Sequence, residues 1–170
     1  GIALEGMRLI RDWLPAAVRD GSDLSARAHM LVASTMGATA FQKGLGAIHA
    51  LSHPVGALYN AHHGLTNAVF MPYVLAFNRE VIDERMVRLA RYLDLPGEGV
   101  DGVMEWVLAL RSEIGIPHSL ADLGIAESGV ADLVALAEID QARAGNPRNL
   151  TTQDLAQLFV DAIRGDVTAR

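Results

Sequence analysis

Apolar residues return every three or four positions from the first residues of the chain, with Leu4, Met7, Ile10 and Leu14 on one helical stripe. No residue ahead of Leu4 offers a capping side chain and there is no initiator Met, so a domain excised from a longer chain is expected. Pro15 sits within this first helix or ends it, and Gly21-Ser22-Asp23 makes a turn. Asp23 is placed to cap a second helix through Ala40. Lys43-Gly44-Leu45-Gly46 interrupts the pattern before a third helix from Ala47 to about Asn60, with a kink or an early start expected at Pro54. A fourth helix is predicted from His63-Gly64 to about Phe77. A fifth, over 80–94, sets Val81, Ile82, Met86, Leu89 and Ala90 against Asp83, Glu84, Arg85 and Arg88. After the Pro96-Gly97 turn, a helix over 100–114 ends at Gly115 and Ile116-Pro117. Short and longer helices are expected at Ser119–Leu123 and 127–139, then a loop at Gly145-Asn146-Pro147-Arg148. Thr151 and Asp154 have the spacing of a capping box before a last helix to about Ile163. Strand alternation and internal repeats are absent from the pattern. The prediction is an all-α fold of eight or nine helices forming one domain over residues 1–170.

Composition narrows the class. A chain of 170 residues that is 51% apolar and 20% charged has the make-up of a packed globular domain, large enough to bury about two-thirds of its unfolded surface. The net charge of −6, without any basic run, argues against nucleic-acid binding. With no cysteine, disulfides and thiolate metal sites are both excluded. No apolar run approaches the roughly 18 residues of a membrane span, and no signal peptide is seen, so no membrane partner and a cytoplasmic location are expected.

The histidines are unevenly placed. His49, His53, His62 and His63 fall close together, and no carboxylate lies between Leu24 and Arg79. Imidazoles among Ile48, Ala50, Leu51, Val55, Val69 and Phe70 need a hydrogen bond or a ligand. Either of two pairs could share a metal ion. His49 and His53 lie four apart on one helical face, which spacing alone prefers. His49 and His63 would stand about 21 Å apart on a straight helix, so they meet only if the chain reverses near Asn60–His63. Iron and catalytic zinc sites commonly include a carboxylate. Either a distant acid such as Asp140 folds in, or that ligand belongs to chain that is absent. His29 and His118 are isolated and carry no predicted role.

The run Gly44-Leu45-Gly46, His49-Ala50, His53, Gly56, Tyr59, His63-Gly64 and Asn67-Ala68 resembles the signature of the iron-containing (group III) alcohol dehydrogenases. Met71-Pro72-Tyr73-Val74 and Phe77-Asn78 extend the resemblance, as do Gly115-Ile116-Pro117, Leu120–Ile125 and Gly145-Asn146-Pro147-Arg148 with Thr151 and Asp154. Nearly the whole chain is covered. The resemblance implies the C-terminal half of a two-domain enzyme of dehydroquinate synthase-like fold, without its N-terminal nucleotide-binding domain. It implies a metal, Fe(II) or else Zn, held by one Asp and three His, of which His49 and His63 are the two in this chain. It places His53 beside the nicotinamide of NAD or NADP, in a proton relay. The implied reaction is hydride transfer between an alcohol or aldehyde and NAD(P), by a homodimer. With two of four ligands, the chain alone is expected to bind metal weakly and to be inactive.

Two positions depart from the family pattern. His62 stands where proline is usual and puts another imidazole beside the metal position, while Ala142 lies where some members have a cysteine near the substrate. Phe41 reads equally as a pocket residue or as a core aromatic. The rival functions are a maleylacetate reductase, a zinc-dependent glycerol dehydrogenase relative, and a stand-alone helical metal-binding or interaction module using the four clustered histidines.

Overall fold

The computed structural model describes residues 1–167, and among these there are only helices, turns and loops. Seven α-helices run in the order α1 (Ile2–Arg19), α2 (Leu24–Ala40), α3 (Ala47–Tyr59), α4 (His63–Tyr92), α5 (Gly99–Glu113), α6 (Val130–Glu138) and α7 (Thr152–Arg164). The all-α class is as expected. The eight or nine helices become seven because the segments predicted at 63–77 and 80–94 are one helix. Asn78 and Arg79 carry no stop signal, and Pro72 is absorbed within α4. Likewise α1 continues through Pro15 and α3 through Pro54. Ser119–Leu123 shrinks to a 3-10 turn at Ala121–Leu123, and another such turn, Glu127–Gly129, leads into α6.

The chain divides into two compact units, one made of Gly1–Lys43 with Asp83–Gly115 and the other of Gly44–Ile82 with Ile116–Arg170. One of the three crossings between the units, Ile82/Asp83, falls inside α4. In the first unit α1 lies against α2 so closely that a Cβ on Gly6 would meet Met36 Cβ at 3.3 Å. Asp23 caps α2, accepting the Ala26 N–H at 2.9 Å. His29 has a structural role here: its ring stacks on Trp13 at 4.1 Å and bonds the Ser25 carbonyl. Asp83 accepts the Val100 N–H at 3.1 Å and so fixes the start of α5.

The second unit holds the larger core. Leu51 and Val55 of α3, Val69 and Phe70 of α4, Leu133 of α6 and Leu155 and Phe159 of α7 are buried together. Phe70 meets Phe159 edge to face at 5.7 Å. Each such fully buried side chain contributes about 1.5–3 kcal/mol over its exposed state. The capping box predicted for α7 is present: Thr151 Oγ1 accepts the Asp154 N–H, and Asp154 accepts the Thr151 N–H. His118 is structural as well, bonding the Gly165 carbonyl at 2.9 Å while its own carbonyl accepts from the Tyr73 hydroxyl at 2.6 Å.

Candidate active site

The clustered histidines and Asp140 lie in the second unit, and the loop before α7 sets the start of α3. Asn146 is the centre of this loop. Its Oδ1 accepts from the Ala47 N–H at 3.3 Å and from Asn78 Nδ2 at 3.0 Å, and its Nδ2 donates to Asn78 Oδ1 at 2.8 Å. Arg148 lies 4.1 Å over the Phe77 ring and donates to the Phe77 carbonyl. Gly145 passes so near Leu45 that a Cβ would fall 1.9 Å from its carbonyl oxygen. The Gly-Asn-Pro-Arg segment therefore clamps the first turn of α3, which carries His49, onto α4.

The break expected before His63 is present. Asn60 takes the left-handed conformation (φ 51°), which Asn tolerates better than most residues, and ends α3; α4 begins at His63. The reversal brings three imidazoles together. Ring centroids are 5.7 Å apart for His49–His53, 5.3 Å for His49–His63 and 5.4 Å for His53–His63. Spacing favoured one pair over the other, yet the fold joins both. His62 turns aside, and its Nδ1 accepts the Leu65 N–H at 3.3 Å as a cap for α4. The side chain at the position usual for proline thus serves the helix start.

Asn67, one turn into α4, faces the cluster. Its Nδ2 donates to His63 Nε2 at 3.1 Å and to His49 Nε2 at 3.4 Å, while its Oδ1 is buried without a partner. Two imidazole lone pairs are thereby aimed at one point. His49 is held below its ordinary pKa, first by burial and then by the facing His63 and His53 rings, with Asp140 opposing. The neutral form that ligation requires is favoured. Among the described residues, no group of three or more His, Asp or Glu side chains is arranged to hold an ion without help. The chemistry of the donor set fits a divalent metal with two imidazole ligands, His49 and His63, and a shortfall in carboxylate.

Asp140 does fold in, but onto His53. Its Oδ2 accepts from His53 Nδ1 at 2.7 Å. Both residues line an open cavity of about 700 Å³ whose wall includes Leu45, Pro54, Leu136 and Ala142. Ala142, at the position noted for cysteine, is thus a wall residue. Phe41 belongs to the first unit, where its ring is half exposed.

The profile of the Fe-containing alcohol dehydrogenase family, C-terminal, matches residues 1–163. The chain belongs to this family. It is 40% identical to the 4-hydroxybutyrate dehydrogenase of Cupriavidus necator over 94% of its length, and 37% identical to the NAD-dependent methanol dehydrogenase of Bacillus methanolicus over 95%. Each alignment spans 44% of the relative. A crystal structure of a 1,3-propanediol oxidoreductase superposes with a TM-score of 0.90 at 32% identity, covering 95% of this chain and 44% of that one. The family chain described here has no helix, among the described residues, long and apolar enough to cross a membrane.

Of the residues singled out in the sequence, the fold brings His49, His53 and His63 together and leaves His62 outside. For two members of the site the sequence shows the residue but not its partner. Asn67 lies within the family-like run, yet nothing in its spacing says that its amide points at the rings. Asp140 is 87 residues from His53, and only the packing of α3 against α6 and the turn after it makes them neighbours.

Proposed function

We propose that the intact protein carrying this chain is an NAD(P)-dependent metal alcohol dehydrogenase, in which this chain supplies two metal ligands and one wall of the substrate cleft. The observation that carries the proposal is the convergence of His49 Nε2 and His63 Nε2 on one amide, with His53 beside them at the cavity. His49 and His63 hold the ion, and the carboxylate they lack comes from the rest of the protein. A divalent ion, Fe(II) or Zn, there supplies Lewis acidity toward the alcohol oxygen. His53 takes up the hydroxyl proton, a task suited to an imidazole at the edge of the cavity. Leu45, Pro54 and Leu136 exclude water and receive the aliphatic part of a small alcohol or aldehyde. A nicotinamide cofactor, NAD or NADP, would supply the hydride acceptor and would be held mainly by residues outside this chain, with His53 beside it. A homodimer is the assembly the family resemblance implies.

The test is NAD(P)H formation at 340 nm by the full-length protein with primary alcohols, before and after chelation. Chelation abolishes turnover, and Fe(II) or Zn(II) restores it. Turnover that resists thorough removal of metal would overturn the reading.

A further inference from the structure

We infer that Asp140 is a positioning residue that holds the proton of His53 on Nδ1 and makes Nε2 the atom that accepts the proton from the substrate. The inference rests on the reading of His53 as the proton acceptor.

Asp140 follows α6, and its carboxylate is fixed from two sides. Oδ1 accepts the Ala142 N–H at 2.8 Å and caps the 3-10 turn Gln141–Gly145; Oδ2 accepts from His53 at 2.7 Å. The side chain is only 16% exposed, whereas that of His53 is 42% exposed. An ionised carboxylate only accepts hydrogen bonds, so the ring nitrogen facing it must carry the proton. In neutral imidazole the lone pair then resides on Nε2, which has no hydrogen bond among the described residues. The His63 ring stacks on a face of His53 at 5.4 Å and 17°, while Asp140 holds its edge. Among the described residues, His53 is the one member of the trio with a carboxylate bonded to it. The other two turn Nε2 to Asn67.

During alcohol oxidation the substrate hydroxyl proton moves to Nε2 as the carbon-bound hydrogen leaves as hydride for NAD(P)⁺. The imidazolium formed keeps its Nδ1 proton against Asp140, which stabilises the added charge, and then gives the Nε2 proton to water. Asp140 orients and is not itself protonated, the role general to carboxylate–histidine pairs.

Two variants separate this role from capping. In Asp140→Asn the amide oxygen still caps the Ala142 N–H, but an NH₂ group now faces the ring and shifts its proton to Nε2. In Asp140→Ser the hydroxyl keeps the cap and no longer reaches His53. Both are made in the full-length holoenzyme beside His53→Asn and the Asp140→Asn/His53→Asn double variant. We expect kcat to fall at least about tenfold in both Asp140 variants, with KM for the alcohol and bound metal near those of the wild type. The double variant should be no slower than His53→Asn. Selectively ¹⁵N-labelled histidine should show the His53 proton moved from Nδ1 in Asp140→Asn. Wild-type kcat in both Asp140 variants, with His53→Asn impaired, overturns this inference and leaves the role of His53 standing. Additive losses in the double variant also overturn it. Full activity of His53→Asn overturns both this inference and the reading it rests on.

Discussion

Asn67 and His62 occupy neighbouring turns of the same motif, and their side chains do opposite things. His62 is spent on the backbone of α4, while Asn67 points its amide into the imidazoles with one oxygen left buried and unbonded. Sequence spacing shows that imidazoles cluster without revealing which of them faces the common centre. That direction is set by the left-handed Asn60, a feature of tertiary folding and local conformation together. Away from the site, Glu5 gives a pH prediction. Hydrogen bonds from Arg8, then from the Tyr92 hydroxyl, hold its carboxyl at about 2, below its ordinary 4.5. A folded pKa below the unfolded one stabilises the protein above about pH 4.5 and ceases to do so as pH falls toward 2. Glu5→Gln should therefore lower the thermal midpoint at pH 7, with the gap to wild type closing near pH 2, as followed by circular dichroism. An equal gap at both pH values would show that the ionised carboxyl is not what matters.

Elements were legible where their ends carry chemistry. Asp23, Thr151 with Asp154, and Asn60 each mark a terminus that the structure confirms. Thr151→Ala should cost about 1 kcal/mol in chemical denaturation, with the metal site intact. The merging of two predicted helices into α4 was not legible because the residues that keep it continuous are held from afar: Asn78 is buried against Asn146, 68 residues away. The same clamp explains why the Gly-Asn-Pro-Arg segment accompanies the histidine run. Gly145→Ala forces a Cβ onto the Leu45 carbonyl and should destabilise the fold by about 1–3 kcal/mol, as overpacking commonly does. Because the strain falls two turns or fewer from His49, weaker metal binding should accompany it. Unchanged stability in denaturant titration would mean the loop relaxes freely.

At the scale of the whole molecule, the absence of period-two alternation was enough to exclude a sheet, and the histidine run was enough to suggest the family. The division into two compact units was not legible: two of its three crossings, at Lys43/Gly44 and Gly115/Ile116, fall at breaks in the pattern that look like ordinary turns, and the third lies inside α4. Nor could the pattern show how far the site is complete. The chain spans 44% of the length of its 4-hydroxybutyrate and methanol dehydrogenase relatives, and its described residues offer a metal two imidazoles without a grouped carboxylate. The central claim, that His49 and His63 are the metal ligands while His53 serves the proton, is tested most directly by metal analysis. The measurement is iron and zinc content by inductively coupled plasma of the full-length protein and its His49→Ala, His63→Ala and His53→Asn variants, each dialysed against a weak competing chelator. The account predicts about one metal per chain in the wild type and in His53→Asn, and metal affinity at least about tenfold weaker in the other two. Full metal retention in His49→Ala or His63→Ala, or loss confined to His53→Asn, would contradict it.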